Sequence, residues 1–193
     1  MIEMLGVLAI VGVLSVAGIA GYSKAMAKYK VNKLVDQVST VAANVRTTFA
    51  GQGNYKGLDS QTAYSLGIYP EEIAKSCDIN GEYSVGCLKN AMGGGIYVNI
   101  LDGDSYAFNL AIGGLTKEAC SALVTSDWGL SSAFLGISLV EEGNNDTNVD
   151  DAAVINEPMV TPADIQQDGA VLIAEACYQC PTDNSCGLVL TFK

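Results

Sequence analysis

The feature that most constrains this chain is an apolar run over residues 4–22, which contains no charged side chain. A helix of about twenty residues is about 30 Å long, which matches the hydrocarbon core of a bilayer. Residues 1–22 are therefore predicted to form a helix that spans a membrane or fills the centre of an assembly. One carboxylate, Glu3, comes directly before the run.

A secretory signal peptide is an alternative explanation of this run, and residues 25–27 (Ala-Met-Ala) offer a small-x-small cleavage site. However, no Lys or Arg precedes the run, and the run is longer than the usual apolar region of a signal peptide. An ordinary single-pass anchor is a second alternative, but it leaves Glu3 unexplained. We therefore favour an apolar segment that is retained and has a role in assembly.

The apolar pattern changes after Tyr22 but does not stop. Polar residues such as Gln37 fill the other faces of the predicted helix. Apolar residues recur at three- and four-residue spacing, namely Ala27, Val31, Leu34, Val35, Val38, Val41, Ala42, Val45 and Phe49. The first stop signals are Gly51 and Gly53. We predict one helix over residues 1–51, whose amphipathic part, residues 23–51, packs on a head formed by residues 52–193.

Glu3 needs a partner, because an ionised carboxylate at the edge of an apolar segment is costly unless it meets a cation. In a stacked array, the α-amino group of one subunit can meet the acid of its neighbour. Glu3 and the N-terminal Met1 are therefore predicted to be assembly residues, although Glu3 could also be solvated at a headgroup surface. Four glycines allow close helix approach or local loosening, namely Gly6, Gly12, Gly18 and Gly21.

The pattern IEMLGVLAIVGVL at residues 2–14 resembles the class III N-terminus of type IV pilins and pseudopilins. In that family a prepilin peptidase cuts before the apolar segment, the new N-terminus is usually methylated, and an acid near the start pairs with the amine of an adjacent subunit. The resemblance implies these roles for Met1 and Glu3, and it places Gly12 where the family commonly has a helix-loosening glycine. It also implies the type IV pilin fold, an α+β fold in which one long N-terminal helix packs on an antiparallel sheet head with short helices and disulfides.

The chain departs from the family pattern in two ways. The acid is the third residue here, whereas the mature family members normally carry it as the fifth. The common proline in the middle of the helix is absent near Ala20, which resembles the type IVb branch. The segments GQGNYKGLDS, GLTKEACSALVTS and AEAC in the head also resemble type IVb pilins.

The head contains signals for strands and short helices. Residues 96–101 and 106–112 flank Asp102-Gly103-Asp104-Ser105 and predict a hairpin, because Asp-Gly tolerates the positive φ of a tight turn. Residues 133–140 and 187–192 are further strand candidates. Helices are predicted to begin after Thr116 and to run from Thr161 to about Ala176, each with Thr as the N-cap. An antiparallel sheet with short helices follows from these signals.

The six cysteines lie in the last two-thirds of the chain and allow fifteen pairings. Proximity favours Cys77–Cys87 and Cys180–Cys186. Cys120 and Cys177 remain, and the resemblance implies that they form the long bridge of the family. Cys177 and Cys180 also have the C-x-x-C spacing of redox dithiols and zinc ligands, which stays an alternative to structural disulfides.

An acidic loop over residues 141–157 offers a weak calcium candidate. Asp146, Asn148, Asp150 and Glu157 fall at positions one, three, five and twelve of a calcium loop, but Asp151 replaces the usual glycine. A solvated loop is favoured, and no cofactor or other metal site is predicted. The net charge of -11 argues against intrinsic nucleic-acid binding, and the absence of His removes the commonest general base.

The combined prediction is a structural protein rather than an enzyme, namely the major subunit of a type IV pilus. It is expected to be a single-pass inner-membrane protein before assembly and then part of an extracellular filament of identical subunits. Its other expected partners are the prepilin peptidase and the pilus assembly machinery. A pseudopilin of a type II secretion-like machine is the alternative.

Overall fold

A computed structural model describes residues 2–77, 86–128, 133–141, 161, 163, 177 and 186–193. The chain is an α+β protein with one very long helix and an antiparallel sheet, as predicted. The elements in these residues are, in chain order, α1 (Ile2–Phe49), α2 (Ser60–Ser65), α3 (Glu71–Ala74), β1 (Ile96–Leu101), β2 (Asp104–Leu115), α4 (Lys117–Thr125), β3 (Phe134–Glu141) and β4 (Cys186–Phe192).

Helix α1 is continuous over its 48 residues. The glycines at positions 12, 18 and 21 do not interrupt it, so the predicted loosening is not seen in the single chain. The helix ends at Phe49 and is followed by a turn in which Gly53 has a φ of +67°. Such a φ is easy for glycine because it has no Cβ. The glycine signals at positions 51 and 53 therefore predicted the end of the helix to within two residues.

The sheet has the strand order β1-β2-β4-β3, and all neighbouring strands are antiparallel. The predicted hairpin is present, with Gly103 at a φ of +82° in the turn between β1 and β2. Strand β2 is longer than predicted, since it starts at Asp104 and continues to Leu115. The last strand, β4, lies between β2 and β3, so Leu190 pairs with Leu110 on one side and Ile137 on the other.

Two of the short helices, α2 and α4, begin with a side-chain cap. Thr116 caps α4 as predicted, accepting a hydrogen bond from the Ala119 N–H at 3.2 Å. Asp59 caps α2 in the same way, accepting from the Thr62 N–H at 2.7 Å. Helices α2 and α3 were not predicted from the sequence. The helix predicted after Thr161 lies almost wholly outside the described residues.

The core is built by α4, the sheet and the second part of α1. The fully buried face of α1 is formed by Leu34, Val38, Val41, Ala42, Val45 and Phe49. Val31 and Val35 pack against this core at its edge. Ala27, which the spacing placed on the same face, is exposed. The helix therefore meets its own head about eight residues later than the predicted start of the amphipathic part.

Two disulfides join described residues, Cys77–Cys87 and Cys120–Cys177, and both are expected pairs. The second bridge closes 57 residues of sequence and fixes the buried face of α4. Cys186, at the start of β4, is also disulfide-bonded. Its expected partner Cys180 lies outside the described residues, so the third pair stays a prediction.

Candidate assembly surface

The first part of α1 has no cover within its own chain. We call residues 6–30 the stem and residues 31–49 the anchored half. Every described side chain of the stem except Met26 is exposed. Its large apolar side chains expose between 53% (Val11) and 71% (Val13) of their surface. A contiguous apolar surface of this kind marks a site of contact with a membrane or with another protein.

The stem has the properties that a helix needs in an apolar environment. It belongs to the one helix, among the described residues, that is long and apolar enough to cross a membrane. Its two serine hydroxyls are also satisfied within the helix. Ser15 donates to the Val11 carbonyl at 2.8 Å, and Ser23 donates to the Ile19 carbonyl at 3.0 Å. Neither serine then has to bring an unpaired hydroxyl into an apolar region.

The glycines of the stem have no role inside the single chain. A Cβ added at Gly6, Gly12, Gly18 or Gly21 would meet no atom within 4 Å, apart from the local backbone of the helix itself. The space beside these residues is open and is available to a neighbouring helix. Of the predicted assembly residues, Gly12 thus lies on the exposed stem. Glu3 lies in the first turn of α1, its side chain is outside the described part, and Met1 is outside it too.

The anchored half is held to the head by a polar cluster that begins at Lys33. The ammonium of Lys33 lies 2.6 Å from one carboxylate oxygen of Glu72 in α3. The side-chain amide of Gln37 donates to the other oxygen at 2.7 Å. The hydrogen bond from Lys33, followed by that from Gln37, holds the pKa of Glu72 below its usual value. The same bond to Glu72 raises the pKa of Lys33.

Gln37 is buried, although the spacing predicts it among the polar residues on the other faces of the helix. Only 4% of its surface is exposed. Both the nitrogen and the oxygen of its side-chain amide form hydrogen bonds, since the oxygen accepts from the Ala91 N–H at 2.8 Å. A usable signal was its position three residues after Leu34 and four before Val41, which lies on the apolar face.

The turn that contacts Gln37 is itself organised by a buried side chain, Asn90. Its amide nitrogen donates to the Gly95 carbonyl at 3.0 Å and to the Gly113 carbonyl at 2.9 Å. A Cβ at Gly94 would overlap the Gly113 carbonyl, so the backbones approach too closely there for any other residue. This turn ties the anchored half to the start of β1 and to the end of β2.

Further along the anchored half, Asn44 and Arg46 make two more ties. Asn44 donates to the Ile68 carbonyl at 2.8 Å. Arg46 donates to the Ala133 carbonyl at 3.1 Å, and its guanidinium carbon lies 4.8 Å from the centre of the Phe192 ring. These residues therefore serve the contact between α1 and the head, as Gln37 does.

No metal or redox site can be assembled from the described residues. They contain no cluster of three His, Cys, Asp or Glu side chains that could hold a metal ion. The calcium candidates Asp146, Asn148, Asp150 and Glu157 lie outside the described part. Cys180 also lies outside the described part, so the alternative of a C-x-x-C site at Cys177 and Cys180 stays a prediction.

Comparisons with known proteins agree with this fold. The sequence matches the family described as PilS N terminal over residues 28–191. The structure is similar to the crystal structure of TcpA, a type IV pilin from Vibrio cholerae El Tor biotype. The TM-score is 0.50 and the sequence identity 16%, and the match covers 84% of this chain and 98% of that one. No curated protein matches the sequence. Because the family match spans most of the chain and the fold is that of a type IV pilin, the chain belongs to the type IV pilin-related PilS N-terminal family.

Proposed function

We propose that this chain is the major structural subunit of a type IV pilus and polymerises through its stem into an extracellular filament. The observation that carries the proposal is the division of α1 into an exposed apolar stem and an anchored half. In this proposal residues 1–51 are the filament-forming helix, with residues 1–22 in the filament core, and residues 52–193 are the outer head. We ascribe no catalytic activity to the protein.

Burial of the stem supplies the cohesion of such a filament. Burying one large aliphatic side chain stabilises an assembly by about 1.5–3 kcal/mol relative to leaving it in water. The stem offers many such side chains, and its glycines allow neighbouring helices to come close. Before assembly, a membrane would cover the same surface, so the subunit would be a single-pass inner-membrane protein with its head outside the cytoplasm.

Glu3 would give the assembly its register. A carboxylate at the first turn of α1 would pair with the α-amino group of a neighbouring subunit after processing by a prepilin peptidase. A helix end surrounded by apolar side chains makes an unpaired charge costly, so subunits would settle where the pair forms. The assembly machinery would be needed to bring subunits from the membrane to that position.

The direct test is to purify filaments from the surface of cells that produce the chain and to identify their main protein by mass spectrometry. We expect this chain to be the main component. A short assembly confined to the cell envelope would instead identify a pseudopilin of a type II secretion-like machine.

The role of Glu3 is tested separately with Glu3→Ala and Glu3→Gln. Both variants should reduce the filament yield at least about tenfold while the amount of membrane-bound subunit stays the same, because they remove the charge but not the stem. The matched control is Asp36→Asn, which removes one exposed carboxylate from the anchored half of the same helix. A normal filament yield from Glu3→Ala would overturn the pairing.

A further inference from the structure

The charges of this chain are distributed very unevenly. Four of its ten Lys and Arg residues lie in a stretch without any acid, namely Lys24, Lys28, Lys30 and Lys33. Residues 36–193 carry the other six basic side chains and 20 of the 21 acids, which is a formal net charge of -14. A strongly positive segment therefore joins the uncharged apolar run to a strongly negative head.

Lys33 illustrates what a lysine of this segment does when an acidic head surface is within reach. It lies at the start of the anchored half and pairs with Glu72 of its own head at 2.6 Å. The other three, Lys24, Lys28 and Lys30, lie on the stem and are exposed. We call these three the basic collar. Within the described part of the chain, none of them has an ion pair.

The position of the collar suits a contact between neighbouring copies. Lys24 precedes Lys33 by nine residues, which is about 13–14 Å along the helix axis. A second copy that packs parallel through its stem and is shifted towards the N-terminus by about this distance brings its own acidic head alongside the collar. Heads with a charge of the same sign repel each other, so a positive segment between them lowers the cost of close packing.

We propose that the basic collar of one subunit binds the acidic head surface of a neighbouring subunit. This inference rests on the proposed function, because it requires subunits stacked through their stems. Each exposed contact is weak and is screened by salt, but it repeats at every subunit of a filament. Filament assembly should therefore depend on ionic strength through these three lysines.

A surface of anionic lipid would attract the same lysines, since each basic side chain close to such a surface adds to its binding. A membrane leaves the negative charge of the head unbalanced, however, whereas a second copy places its negative head beside the positive collar and so offsets both charges. The second copy is therefore the occupant that charge complementarity favours.

The first test compares filaments of the full-length wild type with those of three double variants. In the collar variant Lys24 and Lys28 are changed to Gln, and in the second variant both are changed to Arg. In the third, Lys56 and Lys75 are changed to Gln. The last pair is the matched control, because it removes the same charge from exposed lysines of the head. The collar variant should lose about twofold to fivefold in subunit affinity per lysine. It should also show a flatter dependence of filament yield on NaCl, while the Arg variant and the control behave like the wild type.

The second test couples amines to carboxylates in filaments assembled from a mixture of isotope-labelled and unlabelled subunits. Coupling of Lys33 to Glu72 within one chain serves as the internal control. Mass spectrometry should find collar lysines joined to head acids of a different chain. Collar lysines joined only within their own chain would overturn the inference, and so would a collar variant with wild-type yield and salt dependence.

The two remaining outcomes are also decisive. If the collar variant is lost from the membrane as a monomer but its filaments keep the normal salt dependence, the lysines bind lipid and the inference is wrong. If the wild-type chain forms no filament under any condition, the proposed function fails as well, which separates that failure from a failure of the collar alone.

Discussion

The two halves of α1 share one helix, but only the anchored half buries its apolar side chains in the head. In the anchored half, apolar residues occupy one face, and this face is fully buried in the head at Leu34, Val38, Val41 and Val45. Over residues 6–22 of the stem, apolar residues surround the whole helix, and large side chains such as Val13 and Val16 are about 70% exposed. A one-sided pattern is satisfied by one partner, whereas an all-round pattern needs an environment on every side.

The difference also extends to the polar residues. In the anchored half, Gln37, Asn44 and Arg46 reach across to the head, while the exposed Thr40 and Thr47 bond back to their own helix. In the stem, the two serines, Ser15 and Ser23, bond back to their own helix. The stem therefore forms a regular helix but leaves its apolar side chains uncovered. The boundary lies near Lys33, the first residue among the described side chains of α1 that forms an ion pair with the head.

The largest expected effect comes from placing one carboxylate in each half. Val38→Asp buries a charge at a fully buried position and should destabilise the head by roughly 4 kcal/mol or more. Val11→Asp adds the same charge to a stem side chain that is 53% exposed, so the head should melt as in the wild type. Both full-length variants are compared in detergent, with the fluorescence of the single tryptophan, Trp128, as the probe of the head.

Trp128 suits this measurement because its indole donates to the Leu123 carbonyl at 2.7 Å and its ring lies edge-on to Phe192. Filament yield gives the second readout. Val11→Asp should abolish filaments although its head is intact, since a carboxylate would enter the apolar core. If Val11→Asp destabilised the head as much as Val38→Asp, the two halves would not be independent and the comparison would be wrong.

The next effect concerns the head that receives the anchored half. Replacing Cys120 and Cys177 by Ala opens a loop of 57 residues and should lower the stability by about 4 kcal/mol on the loop-entropy argument. The matched control replaces Cys77 and Cys87, which are only ten residues apart, and should cost about 3 kcal/mol. Denaturant unfolding of the full chain in detergent measures both.

This bridge also sharpens the comparison between the halves. Because α4 packs on α1, losing the bridge should loosen the anchored half, and amide exchange there should rise. Exchange in the stem should stay unchanged in the same sample. An equal rise in both halves would mean that α1 responds as one body and that its division at about residue 30 has no energetic meaning.

Local signals predicted the elements of this fold, and non-local contacts decided their arrangement. Asp102-Gly103 predicted the first hairpin because the turn chemistry is contained in a few adjacent residues. The insertion of β4 between β2 and β3 depends on residues about 50 to 80 positions apart, and no local pattern encodes this order. Helices α2 and α3 were missed because they are only six and four residues long, too short for an apolar period.

The candidate site divides in the same way. The exposure of residues 6–22 could be predicted, because an uncharged run of this length has few alternatives in water. The residue at which the head begins to cover the helix could not be predicted, because Ala27 and Val31 occupy equivalent positions in the periodic pattern. They differ only in whether the folded head lies opposite them. The burial of Gln37 depends on Glu72 and on the Ala91 N–H, two partners that only the folded chain brings together.

The smallest effect is expected at the boundary itself, from the exposed pair of Lys33 and Glu72. The pKa of Glu72 is lowered in the folded chain, so its contribution to stability is present above its usual pKa and is lost as the pH falls through the folded value. Lys33 has a raised pKa, so its contribution is lost only at strongly alkaline pH. Glu72→Gln should therefore lower the melting temperature at pH 7 by only about 1–3 °C, as expected for an exposed pair, with no difference from the wild type near pH 2.

Glu71→Gln, the adjacent exposed residue without an ion pair in the described part, is the control and should match the wild type at both pH values. A difference for Glu72→Gln that persists at pH 2 would show that the side chain acts through packing, and the charged boundary between stem and anchored half would have to be abandoned.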